Sequence, residues 1–196
     1  LWNDKLSEVA AAYAAKCIWN HNPKIKGKLG ESIYMTLGPL IVSHPFSVWF
    51  DQNVNYNFYS HVCNAGKLCG GYTQMMWANT SFIGCAAQYC PSVSNFDAQN
   101  ATMLVCNYYP PGNIEGQSPY KEGPPCTVCP EETQRCWDNY CDRGTDIAIE
   151  HTDASLATIF NITANSGGFT KPSSVPLLLA GLTVFYFFIP GTFTEC

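Results

Sequence analysis

The chain has 196 residues, and its 10 Lys and Arg side chains against 15 Asp and Glu side chains give a net charge of -5. This balance excludes a nucleic-acid or anionic-membrane binder, because such proteins need clustered cations. Hydrophobic residues make up 46% of the chain and charged residues only 13%, so most of the length can build a core and intrinsic disorder is excluded there.

Cysteine is the most informative part of the composition. Ten of the 11 cysteines lie between Cys17 and Cys141, and Cys196 stands alone at the C-terminal end. Cytosolic proteins rarely carry so many cysteines, because thiols there stay reduced and reactive. We therefore predict a disulfide-bonded extracellular protein. Three glycosylation triplets suit the same compartment, at Asn79, Asn100 and Asn161.

The first predicted element is a helix from Lys5 to Cys17, where apolar residues recur at helical spacing. Asn3 or Asp4 can cap its start, and Pro23 prevents it from continuing far beyond this range. The opening residues run directly into this helix, which predicts a truncated N-terminus.

A second helix is predicted to begin at Ser43 or Pro45, because proline suits the first turn of a helix. The predicted buried stripe of this helix consists of Phe46, Trp49, Phe50 and Val54.

Two strands are predicted later in the chain, from Phe82 to Tyr89 and from Met103 to Tyr109. Both segments are rich in aromatic or other strand-forming residues, and the turn sequence PPGN at 110–113 ends the second. Helices followed by late strands indicate an α+β fold in which helices cover a mixed sheet.

The composition changes from Gly123 onward. Four cysteines fall within the 16 residues from Cys126 to Cys141, a stretch too short and too polar to build a core, so disulfides must hold it. Residues 143–174 contain few large apolar side chains and are predicted to form a flexible stalk.

The tail, residues 175–196, contains an uncharged apolar run from Val175 to Ile189. A membrane helix needs about 20 such residues, and this run is shorter. Small residues from Ala164 to Gly168 and a short polar spacer precede it, which is the pattern of a glycosylphosphatidylinositol (GPI) attachment signal. A short membrane helix and an artefact of gene prediction are the alternatives. Loss of the tail would remove Cys196 and leave an even number of cysteines.

Five motifs follow one another in a fixed order. They are CIWNHN at 17–22, GESIY at 30–34, WFDQ at 49–52, CGGYTQMMWANT at 69–80 and LVCNYYPPGN at 104–113. Together they resemble the CAP superfamily of cysteine-rich secretory proteins, antigen 5 and pathogenesis-related 1 proteins. The resemblance implies a three-layer α-β-α sandwich without its first helix over residues 1–120, and a cysteine-rich hinge module over residues 121–142.

In this family a surface cleft gathers two histidines and two acidic residues, and some members bind zinc there. His21 matches the first histidine and Glu31 the first acid, but Gln52 replaces the second acid and Gly71 the second histidine. A catalytic zinc site usually needs three protein ligands. We therefore predict a degenerate cleft without catalytic residues, metal or cofactor, in which His21 bonds to backbone or to Glu31.

The resemblance also implies the disulfide pairing, which the spacing of the cysteines does not determine. It implies the pairs Cys17–Cys90, Cys63–Cys69, Cys85–Cys106, Cys126–Cys136 and Cys129–Cys141.

These features favour a non-enzymatic recognition module, secreted or attached to the membrane by its tail, that binds another protein. A lipid carrier is the alternative, since family members are reported to hold sterols or fatty acids near aromatic-lined grooves. The aromatic residues that would line such a groove are Trp49, Phe50, Tyr56, Phe58 and Tyr59. Core packing is the competing interpretation of that group. A peptidase inhibitor and a hydrolase are less favoured, because no reactive loop is recognised and the cleft has lost reactive groups.

Overall fold

A computed structural model describes residues 1–129, 131 and 134–142. The predicted stalk and tail, with Asn161 and Cys196, lie outside the described residues. The helices are α1 (Asp4–Ala14), α2 (Ser43–Phe50) and α3 (Gly70–Met75), with short 3-10 helices at Pro23–Ile25 and Asp51–Asn55. The strands are β1 (Gly30–Leu37), β2 (Tyr56–Asn57), β3 (Val62–Cys63), β4 (Phe82–Val93), β5 (Ala98–Tyr109), β6 (Arg135–Trp137) and β7 (Tyr140–Asp142).

The first helix begins where the sequence predicts and ends earlier. Asn3 caps α1, since its side-chain oxygen accepts a hydrogen bond from the backbone N–H of Leu6 at 3.1 Å. The predicted end at Cys17 is wrong. The helix ends at Ala14, and Cys17 has a left-handed backbone with φ 52°, which no residue inside an α-helix adopts.

The second helix begins at Ser43 as predicted, but only part of its predicted stripe is buried. Trp49 is 4% exposed, whereas Phe50 is 48% exposed and Val54 is 76% exposed. Val54 lies in the 3-10 helix that follows α2, and the tighter winding of that helix turns it away from the direction that α-helical spacing predicts. Phe50 still belongs to α2, where its ring packs against Tyr72 and stays half exposed.

The central sheet is antiparallel, with strand order β1-β5-β4, so the prediction of a mixed sheet is wrong. Sequence reasoning predicts no strand at β1, which pairs with β5 from Gly30 opposite Tyr108 to Leu37 opposite Ala101. Both predicted strands are longer than expected. Strands β4 and β5 continue pairing as far as Val93 opposite Ala98, because a hairpin register extends through residues with weak strand preference of their own.

Helices cover both faces of this sheet. On one face α1 packs against β5 through a cluster containing Ala10, Tyr13, Ala14 and Val105. On the other face Trp49 of α2 packs against alternate residues of β5, namely Leu104, Cys106 and Tyr108. Gly84 lets α1 approach closely, because a Cβ there would overlap the backbone of α1 and its cap. The fold is therefore the expected α+β arrangement of three layers.

Five disulfides join the pairs that the family resemblance implies. They are Cys17–Cys90, Cys63–Cys69, Cys85–Cys106, Cys126–Cys136 and Cys129–Cys141. The last two hold the region of the β6–β7 hairpin, where Trp137 and Tyr140 are exposed. The sulfurs of Cys126, Cys129 and Cys141 lie within 4.8 Å of one another. All three belong to disulfides, so they offer no thiolate to a metal.

Within the part of the chain that the structure describes, no helix combines the length and the apolar character needed to cross a bilayer.

Candidate functional site

A surface cleft of about 810 Å³ lies beside the first half of β1. The start of α3 and the segment from Trp19 to Leu29 contribute its other walls. All four positions singled out in the sequence line this one cleft, namely His21, Glu31, Gln52 and Gly71.

His21 and Glu31 form a pair on one side of the cleft. His21 Nδ1 lies 2.9 Å from Glu31 Oε1, which also accepts a hydrogen bond from the backbone N–H of Asn22 at 2.8 Å. The Asn107 side chain donates to Glu31 Oε2 at 3.4 Å. The hydrogen bond to Glu31 raises the pKa of His21, although burial opposes the shift. The carboxylate is therefore hydrogen-bonded by three neighbours, and the imidazole is held by one nitrogen.

Exposure differs sharply within this pair. The Glu31 side chain is 5% exposed, whereas the His21 side chain is 71% exposed. With Nδ1 directed at a carboxylate, Nδ1 is assigned as the protonated nitrogen of the neutral ring. Nε2 is then the nitrogen that His21 can offer to a ligand.

Gln52 supports the start of α3. Its Oε1 accepts hydrogen bonds from the backbone N–H groups of Gly71 at 2.9 Å and of Tyr72 at 3.4 Å. These N–H groups lie in the first turn of the helix, where they have no partner inside the helix. The amide oxygen of Gln52 is therefore committed to α3, and an uncharged side chain cannot act as a general base there.

The space beside Gly71 is already filled. A Cβ at Gly71 would lie 2.6 Å from Trp49 Cδ1 and 2.9 Å from Gln52 Oε1. Trp49 is 4% exposed and belongs to the core between α2 and the sheet. The fourth position of the cleft thus lacks an imidazole, and Trp49 occupies the place where any side chain would start.

The donor set of this cleft does not fit a zinc ion. Of the four matching positions only His21 offers an imidazole, through its Nε2, while Gly71 has no side chain and Glu31 and Gln52 already accept hydrogen bonds. Three protein ligands are usual in catalytic zinc sites. One imidazole cannot assemble such a centre.

A buried hydrogen-bonded brace holds the cleft floor, and sequence reasoning did not identify its members. Gln74 is 1% exposed. Its Oε1 accepts from the backbone N–H of Gly112 at 3.1 Å, and its Nε2 donates to Thr80 Oγ1 at 3.3 Å. A Cβ at Gly30 would overlap the Gln74 amide.

A second connection reinforces the brace. The Thr73 hydroxyl donates to Asn113 Oδ1 at 2.7 Å, and Asn113 Nδ2 donates to the carbonyl of Gly70 at 2.9 Å. The signal for these residues lay in the motifs at 69–80 and 104–113, which contain Thr73, Gln74, Gly112 and Asn113. The two motifs are therefore partners in space.

Of the aromatic residues proposed for a lipid groove, Trp49 is buried apart from the others, which are linked through Tyr72 and Tyr120. Trp49 lies in the core, while Phe50 and Tyr56 both pack against the ring of Tyr72, at centroid distances of 6.0 and 6.1 Å. Phe58 stacks on Tyr120 at 5.0 Å. The Tyr72 and Tyr120 hydroxyls lie 2.8 Å apart, and burial, aided by this bond, raises the pKa of Tyr72.

The chain belongs to the cysteine-rich secretory protein family, known as CAP, whose family model matches residues 1–108. Peptidase inhibitor 16 from Bos taurus is 39% identical over 166 residues, covering 80% of this chain and 35% of that protein. Peptidase inhibitor 15 from Xenopus laevis is 38% identical over 157 residues, covering 74% of this chain and 61% of that protein. The chain thus spans about a third of the first relative and about three fifths of the second.

Solved structures have the same fold. Venom allergen-like protein 4 from Schistosoma mansoni is 27% identical with a TM-score of 0.52, covering 63% of this chain and 74% of that chain. NaASP2, solved with Zn²⁺, is 24% identical with a TM-score of 0.55, covering 72% of this chain and 75% of that chain. The zinc is a property of that protein, and the likeness extends to the fold alone.

Proposed function

We propose that this chain is a non-enzymatic extracellular CAP-domain protein that recognises another protein through its cleft. The observation that carries the proposal is the filling of the fourth cleft position. Trp49 occupies the space where a side chain at position 71 would begin, and Gln52 Oε1 accepts a hydrogen bond from the backbone N–H of Gly71. A cleft of this size whose former reactive groups are gone or engaged retains shape and polarity, which suffice for binding.

Two leucines allow a matched test of this function. Leu68 lines the cleft and is 77% exposed, whereas Leu37 lies at the other end of β1, outside the cleft, and is 71% exposed. We expect Leu68→Arg to reduce binding of the purified, fluorescently labelled protein to partner-bearing cells by at least tenfold. Leu37→Arg should leave binding unchanged, and cell-surface cross-linking with mass spectrometry would identify the partner.

Equal binding by the two arginine variants would contradict a role for the cleft. Turnover of a peptide or ester substrate that stops in a His21→Ala variant would contradict the non-enzymatic assignment. Each outcome addresses one half of the proposal.

A lipid carrier remains the second candidate, favoured by the exposure of two rings. Phe50 is 48% exposed and Tyr59 is 80% exposed, and exposed aromatic rings offer apolar surface to a ligand. Mass spectrometry of lipid extracted from the purified protein separates this candidate from the first. A stoichiometric sterol or fatty acid supports a carrier.

Display at the cell surface is proposed from the sequence of residues 164–196, which combines small residues, a short spacer and an apolar run. Phosphatidylinositol-specific phospholipase treatment of cells that express the chain tests the anchor. We expect the protein to be released into the medium, and retention on the cells would contradict GPI anchoring.

A further inference from the structure

We propose that the cleft binds an extended, acidic peptide segment of the partner, which adds as a strand to the open edge of β1. This inference rests on the proposed function, because it names the chemistry of the partner that the cleft recognises. It is carried by the backbone of β1, by the charge of Lys26 beside it and by the polar groups among the cleft walls.

The edge of β1 that faces the cleft carries unpaired backbone groups. Strand β1 is the outer strand of the sheet, and Gly30 to Ile33 line the cleft. Antiparallel pairing alternates, so every second residue of an outer strand directs its N–H and C=O away from the sheet. The register therefore decides which residues present these groups to the cleft.

Two observations fix that register. Ile83 directs its N–H and C=O away from β5, to the backbone of Leu1 and Asn3, so its partner Tyr108 must direct its own groups toward β1. Cys85 and Cys106 lie opposite each other with Cα atoms 4.1 Å apart, the short separation of a pair without mutual backbone hydrogen bonds. Both place the groups of β5 residues 106 and 108 on the β1 side.

It follows that Gly30 and Ser32 bond to β5, while Glu31 and Ile33 face the open edge. Among the described residues, no backbone hydrogen bond outside the sheet engages Glu31 or Ile33. Such an edge is a template for another strand, and strand addition is an established mode of peptide recognition. Two successive outward residues provide four hydrogen-bonding groups for a peptide.

The charge next to this edge favours an acidic peptide. The segment Pro23 to Lys28 reads PKIKGK, and Lys26 lines the cleft with the exposed His21. Glu31, the acidic residue of the cleft lining, is hydrogen-bonded to His21, Asn22 and Asn107. A carboxylate entering the cleft therefore meets the ammonium group of Lys26 on this wall, although the whole chain is acidic.

The cleft lining mixes polar and apolar groups, which suits a peptide with alternating side chains better than a plain acyl chain. Asn20, Asn22 and five glycines line the cleft beside apolar residues such as Ile25 and Leu68. An acyl chain would remove the polar groups from water without replacing their hydrogen bonds, at a cost in free energy. A peptide backbone supplies both donors and acceptors.

The probe is a fluorescein-labelled peptide of sequence Gly-Val-Asp-Val-Glu-Val-Gly, titrated with the full chain in a fluorescence anisotropy assay. One control peptide replaces the acids by Asn and Gln, and the other carries N-methyl groups on alternate backbone amides. We expect saturable binding of the acidic peptide, at least tenfold weaker binding of the amide version and loss of binding for the N-methyl version. Amide hydrogen exchange at Glu31 and Ile33 should slow when the acidic peptide is bound.

Lys26→Glu tests the charge, with Lys121→Glu as the matched variant, since Lys121 is exposed and outside the cleft lining. We expect Lys26→Glu to weaken the acidic peptide at least fivefold and Lys121→Glu to leave it unchanged. Equal binding of the acidic, amide and N-methyl peptides would overturn the inference, as would an affinity that Lys26→Glu leaves unchanged. Complete displacement by palmitate or heparin, without any preference among the peptides, would also overturn it. If the cell partner binds in a Leu68-dependent way and the acidic peptide does not compete, the proposed function stands and this inference fails.

Discussion

Gly71 determines that the cleft has no second imidazole. The missing side chain does not leave a void, because Trp49 packs into that place and Gln52 bonds to the backbone there. Restoring an imidazole would therefore require the core of the domain to move. The loss of the second histidine position is a matter of packing as well as of chemistry.

Gly71→Ala tests this crowding. The new Cβ would lie 2.6 Å from Trp49 Cδ1, and overpacking of this kind typically costs about 1–3 kcal/mol. Gly70→Ala is the matched control, because the nearest atom to its Cβ is Asn113 Nδ2 at 3.6 Å. Urea denaturation should show a lower free energy of unfolding for Gly71→Ala than for Gly70→Ala. Equal values would contradict the packing argument.

His21 gives the molecule a pH dependence whose direction is fixed by Glu31. The hydrogen bond to Glu31 raises the pKa of His21 in the folded chain above the value of about 6.5 expected in the unfolded chain. The charged pair therefore stabilises the fold fully below about pH 6.5, and this stabilisation is lost as the pH rises through the folded-state pKa.

An NMR titration of the His21 ring measures this shift. We expect a midpoint above that of an unperturbed histidine, and Glu31→Gln should return it toward the ordinary value. Exposed ion pairs contribute about 0–1 kcal/mol, so the effect on stability should be modest. A midpoint that Glu31→Gln leaves unchanged would show that another group causes the shift.

At the scale of secondary-structure elements, the brace around Gln74 explains why two distant motifs occur together. Its amide bonds the loop after β5 and the turn after α3 at the same time. Gln74→Leu keeps most of the volume but leaves the N–H of Gly112 without a partner. The variant should lose about 1–3 kcal/mol of unfolding free energy, the usual cost of such an orphan, measurable by thermal or urea denaturation.

Met76→Leu, at an exposed position two residues further on, is the control for that measurement and should stay within about 0.5 kcal/mol of the parent chain. A Gln74→Leu variant as stable as the control would show that the brace contributes nothing to the fold.

The elements also show where sequence reasoning succeeds. The N-cap at Asn3 and the start of α2 follow from local chemistry and are found as predicted. Strand β1 was missed because its residues are mostly half-buried at a sheet edge, so no clear alternation marks it. The space beside Gly71 is filled by Trp49, which lies 22 residues earlier in the sequence. No local sequence pattern encodes that contact.

On the scale of the whole molecule, the disulfides are expected to contribute unequally to the free energy of unfolding. Cys17–Cys90 connects residues 73 apart and Cys63–Cys69 residues only 6 apart. The entropy of the unfolded chain that a bridge removes grows with the loop it closes. The long-range bridge should therefore matter more to folding than the short one.

Paired serine variants test this difference. Loss of Cys17–Cys90 should lower the free energy of unfolding by about 4 kcal/mol and loss of Cys63–Cys69 by about 2 kcal/mol. Chemical denaturation under oxidising conditions gives both values. The reverse order would mean that native packing around the bridges, rather than loop closure, dominates their effect.

The segment at 119–120, where the chain leaves the α-β-α sandwich, is held to it by several contacts. Pro119 accepts a backbone hydrogen bond from Ala78 at 2.7 Å, and Tyr120 is held through its ring by Phe58 and through its hydroxyl by Tyr72. If the protein is tethered by its C-terminal end, a pulling force acts on these contacts of Pro119 and Tyr120, the C-terminal clasp, before it acts on the sheet. The strands and the cleft beside them would then keep their shape under loads that the clasp alone resists.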